Sequence, residues 1–125
     1  EQIVTFLEDP TPQNALRILG LGSGLTPLGD DVLFGHILGS HATSLSHSYI
    51  PTIKNNLTNT HPISAQFLRD VIDQNFSLYY NESLDSFFED LNLDTALQLL
   101  NYGATSGYGI LTGFIHTFKG VENHD

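Results

Sequence analysis

Residues 32–38 form an apolar run that constrains the fold more than any other part of the chain. The run holds five large apolar side chains, Val32, Leu33, Phe34, Ile37 and Leu38. On a helix these side chains would cover nearly the whole circumference, so the helix has to be buried on all sides. Gly35 and Gly39 lie four residues apart and would let a second helix approach closely. The sequence therefore predicts a central helix in tight contact with another.

The rest of the chain also shows helical periodicity. Apolar residues recur at helical spacing in residues 15–19, 60–72, 84–91, 94–103 and 106–119. No stretch alternates apolar and polar residues with period two, which is the pattern of a half-buried strand. The predicted fold class is all-α, a compact helical domain.

Two Thr-Pro pairs mark helix starts. Thr11 and Thr26 are expected as N-caps, and Pro12 and Pro27 as first helical residues, where the missing N–H costs nothing. The first of these helices is expected to end at Gly20. The residues expected on buried helix faces are Ala15, Leu16, Ile18, Leu19, Ile63, Phe67, Leu68, Val71 and Ile72. In the polar segment 40–59 we expect little order beyond a short helix around 50–57.

Length and composition limit the functions that the protein can have. The 125 residues are 40% hydrophobic, enough for one domain with a real core. Four Lys and Arg against fourteen Asp and Glu give a net charge of -10, which argues against a nucleic-acid or anionic membrane partner. The absence of Cys excludes disulfides and thiolate chemistry. With no signal sequence and no apolar run of membrane-spanning length, we expect a cytoplasmic protein.

Part of the surface is expected to be covered by other polypeptide, because only 14% of the residues are charged. The cover would come from other subunits, from a second copy in a homo-oligomer, or from another domain. The chain opens at Glu1 inside a predicted helix, which suggests a piece of a longer protein. We expect residues 1–125 to be its C-terminal half, with the N-terminal half as a partner.

The glycine-rich loop before the central helix is the first candidate site. Flexible residues followed by a helix N-terminus aim backbone N–H groups at an anion. Gly22, Ser23, Gly24 and Thr26 are the residues expected to bind a phosphate or carboxylate there. The loop is neither a P-loop nor a dinucleotide fingerprint, because it has no Gly-Lys-Ser/Thr ending and no strand precedes it.

The pair Asp30 and Asp31 stands at the start of the central helix and is the candidate for catalysis. A carboxylate in the first turn offsets the helix dipole, which explains one aspartate. Neighbouring residues point about 100° apart on a helix, so one of the two must turn inward. A buried carboxylate needs partners. At least one Asp is therefore expected to organise the loop or to contact a ligand.

A second helix–loop–helix unit resembles the first. Residues 96–103 align with residues 15–22, and, after a loop of different length, Leu111 aligns with Leu33 and Gly113 with Gly35. This pattern suggests a pseudo-repeat, with two glycine loops facing each other across a pseudo-twofold axis. Thr105 and Ser106 in the second loop are either N-caps or ligand contacts, and no base can be assigned to Ser106 as a nucleophile.

The other polar candidates have simpler interpretations. The spacing of His36, His41 and His47 does not fit one helix face, so no metal site is expected. His36 and His116 lie at nearly equivalent places in the repeat and would meet near its axis, although a half-buried histidine with its hydrogen bonds satisfied is the simpler account. Two of the few cations, Arg17 and Arg69, would form surface ion pairs or anchor an anionic ligand.

Three blocks of the chain resemble a bacterial family associated with the AllH subunit of oxamate carbamoyltransferase. Residues 20–35 match the pattern G-L-G-x-G-L-T-P-x-G-D-D-x-L-x-G at every fixed position. Residues 60–68 resemble T-x-x-I-S-x-x-F/L-L, and residues 103–113 resemble G-x-x-S-G-x-D-x-L-x-G. In the third block the family often has His and Asp where this chain has Ala104 and Gly109.

The resemblance implies a subunit that acts in allantoin breakdown together with other subunits. Its complex transfers a carbamoyl group between oxalurate and phosphate, giving oxamate and carbamoyl phosphate, and requires neither an organic cofactor nor a nucleophile. Because Gly109 aligns with Asp31, only one of two symmetry-related carboxylates is kept. Two alternatives therefore stay open: a non-catalytic module that binds a small anionic or ureido metabolite, and a structural subunit with glycine-mediated helix packing.

Overall fold

The computed structural model describes residues 1–75 and 107–122, and these contain six α-helices and one 3₁₀ helix. The elements are α1 (Gln2–Glu8), α2 (Pro12–Ile18), α3 (Leu28–Thr43), α4 (Tyr49–Lys54), the 3₁₀ helix Leu57–Asn59, α5 (Pro62–Asp73) and α6 (Gly107–Glu122). No strand occurs within these ranges, and the all-α prediction is confirmed. The helices predicted at 84–91 and 94–103 lie outside the described residues.

The two Thr-Pro pairs behave differently. Thr11 caps α2 as predicted, its Oγ1 accepting the N–H of Asn14 at 3.2 Å. The prediction that Thr26 caps α3 is wrong, because α3 begins one residue later and Pro27 occupies the capping position without a side-chain hydrogen bond. The loop backbone replaces the missing cap: Gly29 N–H donates to the carbonyl oxygen of Leu21 at 2.9 Å.

Helix α3 is the central helix, as the apolar run predicts. Ten of its residues are buried, and its contacts are mainly with α6 and α5. The largest fully buried side chains around it come from all five of the other described α-helices: Phe6, Ile18, Tyr49, Ile53, Leu68, Val71 and Phe114. Two residues expected in the core are exposed instead, Leu16 by 37% and Ile63 by 45%. Both lie on the outer flank of a helix whose buried face is narrower than the apolar stripe in the sequence.

The polar segment 40–59 is more ordered than predicted. Helix α3 continues to Thr43, and its hydroxyl groups donate to carbonyl oxygens of the preceding turn, Ser40 Oγ to His36 at 2.7 Å and Thr43 Oγ1 to Gly39 at 2.8 Å. These bonds satisfy two polar side chains inside the helix. The short helix expected around 50–57 is present as α4 and the 3₁₀ helix. Helix α4 buries Tyr49 and Ile53 completely, so two large side chains order a polar stretch.

Helices α3 and α6 run parallel, with their backbones in close contact. A Cβ atom at Gly35 would lie 1.9 Å from the carbonyl oxygen of Ile110, and one at Gly39 would lie 2.2 Å from Thr117 Oγ1. Because these contacts advance along both helices together, the helices point in the same direction. The close approach predicted from the spacing of the two glycines is confirmed, since any side chain there would push the helices apart.

The same two helices meet in the register of the predicted repeat. A Cβ atom at Gly109 would lie 2.7 Å from Asp31 Cβ, and one at Gly113 would lie 2.2 Å from the carbonyl oxygen of Val32. The contact of Gly113 with Val32 mirrors that of Gly35 with residue 110. The repeat as a whole stays a prediction, because most of its second unit, residues 96–106, falls outside the described ranges.

Candidate functional site

Asp30 connects three elements through one buried carboxylate. Its side chain is only 2% exposed. Oδ1 accepts the N–H of Gly20 at 2.7 Å, and Oδ2 accepts hydrogen bonds from the hydroxyl groups of Thr60 and Ser64. Three hydrogen-bond donors thus stabilise the carboxylate, whose burial without partners would cost free energy. Asp30 therefore ties the end of α2, the start of α3 and the start of α5 together.

Local structure brings the two hydroxyl groups to this carboxylate. Thr60 ends the 3₁₀ helix in an extended conformation, and Ser64 lies in the first turn of α5, four residues later. The start of α5 is set by Pro62, and by His61 Nδ1, which accepts the N–H of Ile63 at 3.1 Å. Sequence reasoning missed both hydroxyl groups as site residues. The signal was present, because Thr60 and Ser64 are fixed positions in the second motif, T-x-x-I-S-x-x-F/L-L.

The glycine loop, residues 20–27, has a fixed base. Gly20 has a positive φ of 80°, and a Cβ atom there would lie 2.8 Å from the carbonyl oxygen of Asn59, so only glycine fits. The base is held on one side by the hydrogen bond of Gly20 to Asp30 and on the other by that between Gly29 and Leu21. Gly29 itself packs on α2, because its Cβ atom would lie 2.0 Å from the carbonyl oxygen of Ile18.

The tip of the loop is open to solvent. Gly22, Ser23 and Gly24 are exposed, and Thr26 is half-buried. Gly22 and Gly24 have positive φ values of 125° and 87°, a conformation that side chains disfavour. A Cβ atom at Gly22 would lie 2.9 Å from the backbone nitrogen of Leu28, the first residue of α3, whereas one at Gly24 would meet no atom within 4 Å. Of the four residues predicted to bind a ligand in this loop, Gly22 thus lies against the N-terminus of α3, and the binding role of all four stays a prediction.

Asp31 points away from the cluster around Asp30 and toward α6. It is half-buried, and its Cβ lies beside Gly109, where a side chain would clash. The glycine that departs from the family pattern therefore lies directly against the second aspartate of the pair. The other predicted ligand contacts, Thr105 and Ser106, and the departure at Ala104 lie outside the described residues.

His36 belongs to a buried aromatic cluster rather than to the loop. It is 3% exposed, its Nδ1 lies 2.7 Å from the Tyr49 hydroxyl oxygen, and its ring contacts Phe6 and His47. Burial, with smaller effects from His47 and His116, lowers the pKa of His36 from 6.5 to about 3. At neutral pH this histidine is uncharged. The simpler interpretation is right about the hydrogen bond, but His36 is fully buried rather than half-buried.

The two candidate arginines are not in ion pairs within the described part of the chain. Arg17 Nη1 donates to Asn14 Oδ1 at 3.0 Å, and Arg69 is exposed. The ion pair that the described residues do contain joins Lys54 and Asp73 at 2.7 Å.

No group of three or more His, Asp or Glu residues in residues 1–75 and 107–122 is placed to hold a metal ion. Nor is any helix within these ranges long and apolar enough to span a membrane.

Comparison with known proteins identifies a family. No curated protein and no solved structure shows significant similarity to the chain. The family model that matches is described as oxamate carbamoyltransferase subunit AllH, and it covers residues 18–118. That range begins at the end of α2 and includes the glycine loop, the Asp30 cluster and most of α6. The chain belongs to the family of the oxamate carbamoyltransferase subunit AllH.

Proposed function

We propose that this chain acts as a subunit of an oxamate carbamoyltransferase and binds phosphate or carbamoyl phosphate at its glycine loop. The observation that carries the proposal is a loop with a fixed base and an exposed tip, placed directly before the 16-residue helix α3. The N-terminus of a helix favours an anion by about 0.3–1 kcal/mol at an exposed position, and loop N–H groups add to this.

The fixed base makes the loop suitable for binding. The carboxylate of Asp30 accepts the N–H of Gly20, and the N–H of Gly29 donates to the carbonyl oxygen of Leu21. The backbone of residues 20–29 is therefore already bent before a ligand arrives. Preorganisation of this kind lowers the entropy lost on binding. In this proposal Asp30 is a positioning residue, since its three hydrogen bonds face the protein.

Gly22 supports the same interpretation. A side chain at this position would lie against the backbone nitrogen of Leu28. Its absence keeps the first amide of α3 uncovered, and an anion at the loop tip would then receive N–H groups from the loop and from the helix. Ser23, Gly24 and Thr26 are the remaining proposed ligand contacts.

The proposed reaction is the transfer of a carbamoyl group from oxalurate to phosphate. A phosphate oxygen attacks the terminal carbamoyl carbon, and a tetrahedral oxyanion forms. The bond from that carbon to the oxamate nitrogen then breaks, and this nitrogen takes a proton, giving oxamate and carbamoyl phosphate. Backbone N–H groups of the loop would stabilise the oxyanion, and Asp31 would orient an amide nitrogen of the substrate.

Other polypeptides are proposed to complete the site. The family is named for a subunit, and in this chain Gly109 lies against Asp31 at the position where the motif resemblance implies a second carboxylate. We propose that other subunits and the N-terminal half of the same protein supply the missing groups, in the cytoplasm. Gly109 also favours the second candidate, a module that binds a small anionic or ureido metabolite without catalysis. Carbamoyl transfer by the reconstituted complex separates the two, because a binding module would leave its rate unchanged when Asp31 is replaced.

The binding step is tested by isothermal titration of the full-length protein with phosphate and with carbamoyl phosphate. We expect saturable binding of one or both anions. A Gly22→Ala variant is expected to bind roughly tenfold more weakly, because its methyl group would cover the Leu28 amide and because alanine disfavours the φ of 125° at this position. Replacement of the exposed Asp9 by Asn is the control and should leave affinity unchanged. If neither anion binds, or if Gly22→Ala binds as the parent does, the glycine loop is not the anion site.

A further inference from the structure

A groove between the 3₁₀ helix and α5 lies next to the Asp30 cluster and has no role in the site described so far. Its cavity volume is about 410 Å³. Leu57 and Ala65, which are 4% and 8% exposed, contribute apolar surface to it, and Thr58, Gln66 and Arg69 line it with polar groups. We infer that this groove binds a small carboxylate that also carries an amide N–H, and the inference rests on the proposed function for the identity of that molecule.

Arg69 provides the positive charge. The chain has four Lys and Arg residues against fourteen Asp and Glu, yet Arg69 makes no ion pair or hydrogen bond with the described residues. A guanidinium group matches a carboxylate with two parallel hydrogen bonds. Arg69 is an exposed arginine on the wall of a groove with no partner in residues 1–75 and 107–122, and it is therefore available for a small anion.

Gln66 provides an acceptor beside that charge. Its Nε2 donates to Oδ1 of Asp70 at 2.8 Å, and Asp70 is 3% exposed, so a buried group holds the amide in one orientation. This orientation leaves Gln66 Oε1 without a hydrogen bond from the described residues and able to accept an N–H. Gln66 and Arg69 lie three residues apart on α5, which places them on one face of the helix.

The groove is connected to the glycine loop through Thr60. Thr60 lines the groove and donates its hydroxyl hydrogen to Asp30, whose other oxygen binds Gly20. A Cβ atom at Gly20 would lie 3.9 Å from Thr60 Cα, so the base of the loop and the end of the groove are adjacent. A carboxylate-bearing amide bound at the Thr60 end of the groove would therefore lie next to the base of the loop, and carbamoyl transfer would require an anion bound at the loop to reach it there.

Oxamate and pyruvate provide the test, because they differ only in an amino group replaced by a methyl group. Both are titrated into the full-length protein by isothermal calorimetry. Arg69→Gln should weaken oxamate binding by roughly tenfold or more. Gln66→Leu should remove most of the preference for oxamate over pyruvate. Arg17→Gln, which removes an arginine on α2 that is bonded to Asn14, is the matched control and should bind oxamate normally.

The outcomes separate this inference from the proposed function. Arg69→Gln should bind phosphate as the parent does, and Gly22→Ala should bind oxamate as the parent does. Failure of phosphate to bind, together with oxamate binding that depends on Arg69, would overturn the loop site and support the groove. Failure of oxamate to bind, equal oxamate binding by the parent and Arg69→Gln, or equal affinity of the parent for oxamate and pyruvate would overturn the groove site.

Discussion

Replacing Asp30 by Ala is expected to destabilise the protein far more than replacing the other buried aspartate, Asp70. The two side chains are 2% and 3% exposed, so they are matched in burial. Asp30 accepts three hydrogen bonds, from Gly20, Thr60 and Ser64, whereas Asp70 accepts one from Gln66 on Oδ1 and its Oδ2 has no partner among the described residues.

The magnitude follows from the partners that each substitution leaves behind. Removing the Asp30 carboxylate leaves a backbone N–H and two hydroxyl groups without their acceptor, at about 1–3 kcal/mol for each group that finds no substitute. Since hydroxyl groups can rotate to other acceptors, the expected total is about 3–5 kcal/mol. Removing Asp70 leaves only the side chain of Gln66, which is exposed and can turn to water, and it also removes a buried oxygen that has no partner. The expected cost there is roughly 0–1 kcal/mol.

The assay is urea unfolding followed by circular dichroism at pH 7, with the free energy of unfolding extrapolated to water for the parent and both variants. A second measurement, the thermal midpoint of each variant, tells whether the variant still unfolds cooperatively. An Asp30→Ala variant within about 1 kcal/mol of the parent, or an equal cost for Asp70→Ala, would refute the assignment of Asp30 as the group that holds the three elements together.

Three further changes test the fold. Gly35→Ala should lower the free energy of unfolding by about 3 kcal/mol, because its methyl group would overlap the Ile110 carbonyl oxygen. Gly24→Ala should lower it by about 1 kcal/mol, because only its backbone conformation is disfavoured. Equal losses measured by urea unfolding would contradict the close contact between the helices. Between pH 6.5 and about 3 the unfolded state, but not the folded state, protonates His36, so stability falls as pH falls, by about 2 kcal/mol from pH 6.5 to pH 5. His36→Gln should lack this part of the pH response, and an identical response would argue against a depressed pKa. Thr11→Ala should lower the free energy of unfolding by about 1 kcal/mol through loss of the N-cap, and no change would show that the cap is not needed.

The sequence predicted the helices well, because the capping residues and apolar spacing that determine a helix lie within a few residues of it. Thr11 and Pro12 set a helix start by themselves, and the apolar run of α3 required a buried central helix. The start of α3 was misplaced by one residue because its first N–H groups depend on the loop. The exposure of Leu16 depends on how α2 docks, which no periodicity records.

The candidate site could be predicted only in part, since its contacts join distant segments. The sequence indicated that one aspartate must turn inward and find partners, and it placed the flexible loop beside it. It did not show which residues those partners were, because Thr60 and Ser64 are 30 and 34 residues away from Asp30. That Arg69 has no ion pair with the part of the chain that the structure describes likewise depends on how the helices pack, because an acidic sequence offers an arginine many carboxylate partners.

The most direct test of the central claim is an amide NMR titration of the ¹⁵N-labelled protein with carbamoyl phosphate. If the glycine loop binds the anion through backbone N–H groups, the largest saturable shifts will be those of the amides of residues 22–26 and of Leu28. The amides of α4, which lies outside the site, should stay in place. An absence of saturable shifts, or shifts centred on a segment other than the loop, would contradict the account.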